Sequence, residues 1–142
     1  MRKIFTIFIL FICVSTSLSQ QRYLDFGVVF PAVNKTIVET SPSAGLIALT
    51  SGPPTKLRIT FSLPANMNSG TNIIPLTFTA TKSTNSNDNI PGTPFSPYTG
   101  VDHTFTTGAN TVYLRLGGTI TPSGTQAAGS YSGTIICYIM YI

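Results

Sequence analysis

GSYSGTIICYIMYI, residues 129–142, is the stretch that decides the fold class of this chain. From Ile135 onward every residue is apolar or aromatic. Successive side chains of a β-strand alternate between two faces, so one face would carry Ile135, Cys137, Ile139 and Tyr141. A long apolar strand edge left in water invites pairing with another chain. We therefore expect this strand to be covered, either by its own sandwich or by a second polypeptide.

The opposite end of the chain has the pattern of a secretory signal peptide. Arg2 and Lys3 precede an apolar run over residues 4–14, and Ser17-Leu18-Ser19 has the small residues that signal peptidase requires. The apolar run is shorter than the roughly 20 residues that span a bilayer. We predict a signal peptide over residues 1–19, a single mature domain over residues 20–142, and no membrane span after cleavage.

Charge and cysteine content exclude several classes of function. The chain carries eight Lys and Arg against four Asp and Glu, and two of the basic residues leave with the signal peptide. The remainder form no basic patch of the kind that binds nucleic acid. Cys137 is the single cysteine of the mature range, so no disulfide can form within the domain. We expect a buried thiol there, with an intermolecular disulfide as the alternative.

Apolar residues alternate with polar ones along several short segments, which predicts β-strands. The predicted strands cover residues 24–30, 36–40, 45–50, 57–63, 74–81, 111–116 and 135–142. Gly117-Gly118 is predicted as a tight turn or bulge before a short edge piece, and residues 82–100 as a long irregular loop. No segment after the signal peptide has helical periodicity. The pattern predicts an all-β fold, a two-sheet antiparallel β-sandwich of about seven strands.

Four segments resemble the DUF4402 domain, a family of small exported bacterial proteins. They are LDFGVV at residues 24–29, LRITFSLP at 57–64, LRLGGTIT at 114–121 and AAGSYSGTIICYIMY at 127–141. Their order and separations are similar to the family pattern, and they cover nearly all of the mature range. DUF4402 proteins look like relatives of spore coat protein U and of chaperone–usher pilins. Chaperone–usher pilins also share a glycine fourteen residues from the end and a penultimate tyrosine, positions held here by Gly129 and Tyr141.

The resemblance implies an immunoglobulin-like fold and a structural role at the cell surface. In pilins, a segment of the next subunit completes the sandwich by β-strand addition, and such head-to-tail contacts produce filaments. On this basis residues 129–142 would form the accepting edge. The donor segment would present Leu24, Phe26, Val28 and Phe30. The partners implied are copies of the same chain, with a periplasmic chaperone and usher.

Two departures from the pilin pattern leave a second interpretation open. Pilins carry a donor extension before the first strand and a disulfide, whereas this chain has only Gln20-Gln21-Arg22 before the predicted strand and one mature cysteine. The domain could instead be self-complete. The alternative function is a monomeric secreted module that binds carbohydrate or protein through a loop containing Asn87, Asp88, Phe95 and Tyr98. Phe95 and Tyr98 are open to two readings, a recognition surface or a lid over the core.

The sequence offers no set of residues for enzyme chemistry. His103, the only histidine, follows Asp102 directly, and no serine lies at a sharp elbow that would complete a triad. The pair is predicted to lie in a solvated loop. Alternating oxygen-bearing side chains over residues 85–89 could surround a cation, but a single carboxylate provides little charge for calcium. We therefore expect a non-enzymatic protein at the cell surface or outside the cell, with no cofactor and no metal.

Overall fold

The computed structural model describes residues 16–52, 55–106 and 110–142. Every regular element in these ranges is a β-strand, which confirms the predicted all-β class. The strands are β1 (Ser17–Arg22), β2 (Lys35–Ile37), β3 (Gly45–Ser51), β4 (Thr55–Ser62), β5 (Asn66–Ser69), β6 (Asn72–Ser83), β7 (Thr93–Phe95), β8 (Val101–Phe105), β9 (Asn110–Ile120) and β10 (Ile136–Tyr141). The predicted signal peptide lies outside the described ranges except for residues 16–19.

The strands form two antiparallel sheets, as predicted for a sandwich. The larger sheet has the order β1-β3-β9-β6-β5, with β2 paired to β9 and β7 paired to β6. The smaller sheet has the order β10-β4-β8. All of these pairs are antiparallel.

The core lies between the two sheets and follows the predicted alternation. In β4, Leu57 and Ile59 are fully buried, whereas Lys56 and Arg58 point to solvent. Burying apolar surface at roughly 25 cal/mol per Å² is the main force that holds such sheets together. Most of the fully buried apolar side chains come from β3, β4, β9 and β10, and they include Ile47, Leu49, Leu57, Ile59, Val112, Leu114, Leu116 and Cys137.

The predicted first strand over residues 24–30 is wrong. The chain there is irregular, and β1 lies earlier, at Ser17–Arg22. The reason is a local turn: the backbone N–H of Gly27 donates to Asp25 Oδ1 at 2.6 Å, and Gly27 has a φ of 60°. An aspartate that bonds two residues ahead, followed by a left-handed glycine, replaces the extended conformation. Phe26 is nevertheless buried in the core, with 4% of its surface exposed.

The predicted tight turn or bulge at Gly117-Gly118 is also wrong, because β9 runs through both glycines and its register with β6 is unbroken there. The backbones of neighbouring segments come unusually close at this point. A Cβ atom at Gly117 would lie 2.5 Å from the carbonyl oxygen of Ile37, and one at Gly118 would lie 2.6 Å from that of Thr77. The glycines therefore permit close strand packing and do not end the strand.

Besides β1, the strands β5, β7 and β8 have no counterpart in the prediction. β5 has the polar sequence NMNS, which lacks a clear apolar alternation. β8 contains the Asp102-His103 pair that was predicted to lie in a loop. The predicted irregular loop over residues 82–100 is correct except that it begins with the end of β6 and contains the short strand β7.

Candidate functional site

β10 is an edge strand of the smaller sheet. It pairs with β4, and no other strand of the described chain lies on its far side. The backbone N–H of Ile142 donates to Lys56 O at 3.0 Å, which continues the β10–β4 ladder. Positions that bond to the partner alternate with positions that do not in an antiparallel pair. The backbone groups of Cys137 and Ile139 therefore point away from β4, toward the open edge.

The two faces of β10 differ in their surroundings. Ile135 and Cys137, two of the predicted assembly residues, are buried in the core, and Ile139 packs against it from a half-buried position. Tyr138, Met140 and Ile142 lie on the outer face with 44%, 50% and 51% of their surface exposed. The strand therefore combines an apolar inner face, an exposed apolar outer face and an edge that β4 does not cover.

Tyr141 connects the smaller sheet to the larger one. Its hydroxyl donates to Thr16 Oγ1 at 2.6 Å, and Thr16 Oγ1 lies 3.0 Å from Ser51 Oγ. These contacts hold the end of β10 near the start of β1, which is itself an edge strand of the larger sheet. The predicted assembly residue Tyr141 therefore makes this contact within the uncleaved chain, because Thr16 belongs to the predicted signal peptide.

The predicted donor residues are divided between core and surface. Leu24 and Phe26 line a small pocket together with Ile135 of the same molecule. Val28 and Phe30, by contrast, are 73% and 65% exposed. Gly129, the other predicted assembly residue, lies near β5, where its Cβ would be 2.8 Å from Ser69 Oγ. Phe26, Val28, Phe30 and Gly129 line one cavity, whereas none of the predicted assembly residues from 135 onward belongs to its lining.

The carboxylate of Asp88 is bound by two arginines. Arg115 Nε donates to Asp88 Oδ1 at 3.1 Å, and Arg22 donates to both carboxylate oxygens, to Oδ1 at 2.9 Å. Arg115 is fully buried, and its Nη2 also donates to Asn85 O at 3.1 Å. Asp88 is the only carboxylate in this loop, and the two arginines already neutralise it. It is therefore not available as a calcium ligand.

A bulge in β1 makes this contact possible. Gln20 pairs with Ile47 and Arg22 with Leu46, so the register shifts at the residue between them. Directly paired residues point to the same face of a sheet, and Ile47 belongs to the core. The shift therefore turns Arg22 to the outer face of the larger sheet, where it meets Asp88. Sequence reasoning missed this cluster, although the alternation in β9 already separated Arg115 from its apolar neighbours.

The remaining loop residues are anchored to the sandwich. Asn87 Oδ1 accepts from the N–H of Asn89 at 3.0 Å, a turn contact within the loop. The Phe95 ring stacks on Phe61 with 6.4 Å between centroids. The hydroxyl of Tyr98 accepts from the backbone N–H of Phe78 at 2.9 Å, although the side chain is 59% exposed. Phe95 thus covers part of the core, and Tyr98 presents a fixed aromatic ring to solvent.

Asp102 and His103 have separate surroundings. Asp102 accepts from Arg58 Nε at 2.8 Å and Nη2 at 3.0 Å, which lowers the pKa of its carboxyl. The His103 ring makes an edge contact with Phe105. The pKa of His103 is lowered, mainly by burial and secondly by the positive charge of Lys82. Adjacent residues of a strand point to opposite faces. The predicted loop location is wrong, and the two side chains do not face each other.

Cys137 is a free, fully buried thiol whose pKa is raised to about 12 by burial.

Among the described residues no group of three His, Cys, Asp or Glu side chains could hold a metal ion. No helix long and apolar enough to cross a membrane is found in the described ranges.

Comparisons with known proteins found no match: no family model fits the chain, and no curated protein or solved structure is significantly similar to it. The resemblance to the DUF4402 domain therefore stays a prediction.

Proposed function

We propose that this protein is an exported structural subunit of a bacterial surface filament, fimbria or coat, and that it assembles by β-strand complementation at β10. The observation that supports the proposal most directly is the open edge of β10. Backbone groups of Cys137 and Ile139 point to that edge. An added strand would bond to these groups and place alternate apolar side chains against the inner face.

The order of the strands supports the same proposal. β1, β3, β9 and β6 lie side by side as strands A, B, E and D do in immunoglobulin-like sandwiches, and β4 pairs with β10 as strand C pairs with F. In such sandwiches strand G lies on the far edge of F. No strand of the described residues occupies that position beside β10. Addition of a strand from another subunit would complete the smaller sheet.

We propose fewer donor residues than the four that the sequence pattern implied. Phe26 would have to leave the core, and removing a buried aromatic side chain typically costs about 3–5 kcal/mol. Val28 and Phe30 are already exposed, and their spacing puts them on one face of an extended segment. We therefore assign the donor contact to Val28 and Phe30.

A monomeric binding module is the second candidate function, and the position of Tyr98 favours it. Its hydroxyl accepts a hydrogen bond from the backbone N–H of Phe78, while the residue as a whole is 59% exposed. Fixed aromatic rings provide contact area at a low entropic cost. Size-exclusion chromatography separates the two functions, because a stable monomer favours the binding module and polymers favour assembly.

Two substitutions at Ile139 test the proposed edge. Ile139→Pro removes an N–H that faces the open edge and is not used by β4, and proline is tolerated in such positions of edge strands. Ile139→Ala shortens the same side chain but keeps the N–H. We expect filaments by electron microscopy from the wild type and Ile139→Ala, and none from folded Ile139→Pro. Wild-type filaments from folded Ile139→Pro would refute assembly at this edge.

A further inference from the structure

A cavity of about 620 Å³ lies at the side of the sandwich where two irregular connections approach each other. One wall is formed by residues 25–31 and the other by residues 126–131, with Pro122 beside them. The lining includes four buried apolar side chains of the core, namely Phe26, Met67, Ile74 and Ile120. No residue of β10 contributes to the lining. The cavity is therefore separate from the proposed assembly edge.

The size of the cavity is unusual for a packing defect. Protein interiors are packed about as densely as organic crystals, and their voids are few and small. An empty apolar cavity lowers stability in proportion to its volume. Cavities of roughly 300–1,000 Å³ with mainly apolar walls are typical of sites for small molecules. Both the volume and the lining place this cavity in that class.

Two polar side chains of the lining, Gln126 and Tyr131, bind each other. Gln126 Nε2 donates to the hydroxyl of Tyr131 at 2.7 Å, and this hydroxyl donates to Ala127 O at 2.7 Å. Gln126 Oε1 accepts from the N–H of Ser123 at 3.3 Å. The one charged residue among the described lining residues is Asp25. Lys35 Nζ donates to Val28 O at 3.0 Å on the same wall, so this wall carries no excess positive charge that would favour an anionic ligand.

The rim carries exposed apolar side chains. Val28 and Phe30 belong to the lining, yet they are 73% and 65% exposed. A ligand in the cavity would remove part of this apolar surface from water, which is favourable in proportion to the area covered. The exposed rim and the buried lining are both apolar, so both favour an apolar ligand.

We infer that this cavity binds a small, uncharged and largely apolar molecule. The ligand contacts the buried apolar side chains and is covered at the rim by Val28 and Phe30. The cavity shares no residue with the β10 edge, but it shares Val28 and Phe30 with the proposed donor contact. The two proposals are tested at different positions, the cavity at Ala127 and Ala128 and the assembly edge at Ile139, so that either can fail alone.

A pair of fluorescent probes tests the inference. N-phenyl-1-naphthylamine is uncharged, and 8-anilino-1-naphthalenesulfonate is the same aromatic amine with an added sulfonate. We expect saturable binding of the uncharged probe at one site per chain, with an affinity roughly tenfold or more above that of the sulfonate. Absence of saturable binding of the uncharged probe would overturn the inference, and equal affinities would overturn the ligand class.

Variants locate the bound probe. Ala128 is exposed and lines the cavity, so Ala128→Trp should fill the space and weaken binding of the uncharged probe by roughly tenfold or more. Ala127→Trp provides a second filling variant if the first does not fold. Ala65→Trp places the same side chain at an exposed position outside the lining and should bind as the wild type does. Unchanged affinity in both filling variants would assign the probe to another surface and refute the site, whereas Ile139→Pro should bind normally.

Discussion

Arg115 Nε donates to Asp88 Oδ1 at 3.1 Å, which joins the centre of the larger sheet to a loop that crosses its outer face. The arginine is fully buried, and its Nη1 has no hydrogen-bond partner among the described atoms. Asp88 supplies the negative charge closest to it. The stability of this part of the molecule should therefore depend on one carboxylate.

Asp88→Asn should destabilise the protein substantially. The amide keeps the shape of the side chain but leaves the buried Arg115 without a counter-charge. Breaking a buried ion pair by removing one partner costs about 3 kcal/mol or more of unfolding free energy. Urea unfolding of the mature protein measures the change.

Asp102→Asn is the matched control, because Asp102 pairs with Arg58 in a half-exposed position. Exposed ion pairs contribute little to stability. We expect a much smaller loss than for Asp88→Asn. Equal losses of unfolding free energy in the two variants would show that burial of Arg115 does not strengthen its ion pair with Asp88.

The same cluster predicts a dependence of stability on pH. Hydrogen bonds from Arg22, and then from Arg115, lower the pKa of the Asp88 carboxyl. A lowered pKa in the folded state gives stability that is fully present above the ordinary aspartate pKa of about 3.9. This stability is lost as the pH falls through the lowered pKa. Unfolding free energies between pH 7 and 2 should fall less steeply for Asp88→Asn than for the wild type, and parallel curves would contradict the assignment.

The thiol of Cys137 should be unreactive in the folded protein. Burial raises its pKa to about 12, and only the thiolate reacts rapidly with disulfide reagents. Labelling with Ellman's reagent at pH 8 should therefore be slow in buffer and complete in denaturant. Rapid labelling of the native protein would show that Cys137 is accessible and would restore the predicted intermolecular disulfide as an alternative.

Gly118→Ala should weaken the packing between β9 and β6. The added Cβ would lie 2.6 Å from the carbonyl oxygen of Thr77, so the backbone must shift. Overpacking of this kind typically costs about 1–3 kcal/mol. Gly124→Ala is the control, because nothing lies within 4 Å of its Cβ position. Thermal unfolding should show a lower midpoint for Gly118→Ala and little change for Gly124→Ala.

The fold class could be predicted from the sequence because the longest strands alternate cleanly. Leu57 and Ile59 alternate with Lys56 and Arg58, and the structure buries the first pair and exposes the second. The alternation of residues 24–30 has the same appearance but does not form a strand. There, the hydrogen bond between Asp25 and Gly27 stabilises a turn, and this turn prevents the extended conformation that the apolar pattern predicts.

The cluster of Arg22, Asp88 and Arg115 was harder to predict than the strands, because its members are distant from one another in sequence. Arg115 and Asp88 are 27 residues apart, and Arg22 reaches Asp88 only through the bulge in β1. Apolar periodicity contains no information on such pairs. The cavity between residues 25–31 and 126–131 was missed for the same reason, since both walls are irregular connections.

The position of β1 gives the predicted leader cleavage a structural consequence. Ser17, Leu18 and Ser19 pair with Thr50, Leu49 and Ala48 of β3, yet they precede the predicted cut before Gln20. Proteolytic processing there would shorten β1 by half and uncover the corresponding flank of β3. Such a cut would leave unpaired backbone groups along Ala48, Leu49 and Thr50, and these would be added to the open groups at the far side of β10.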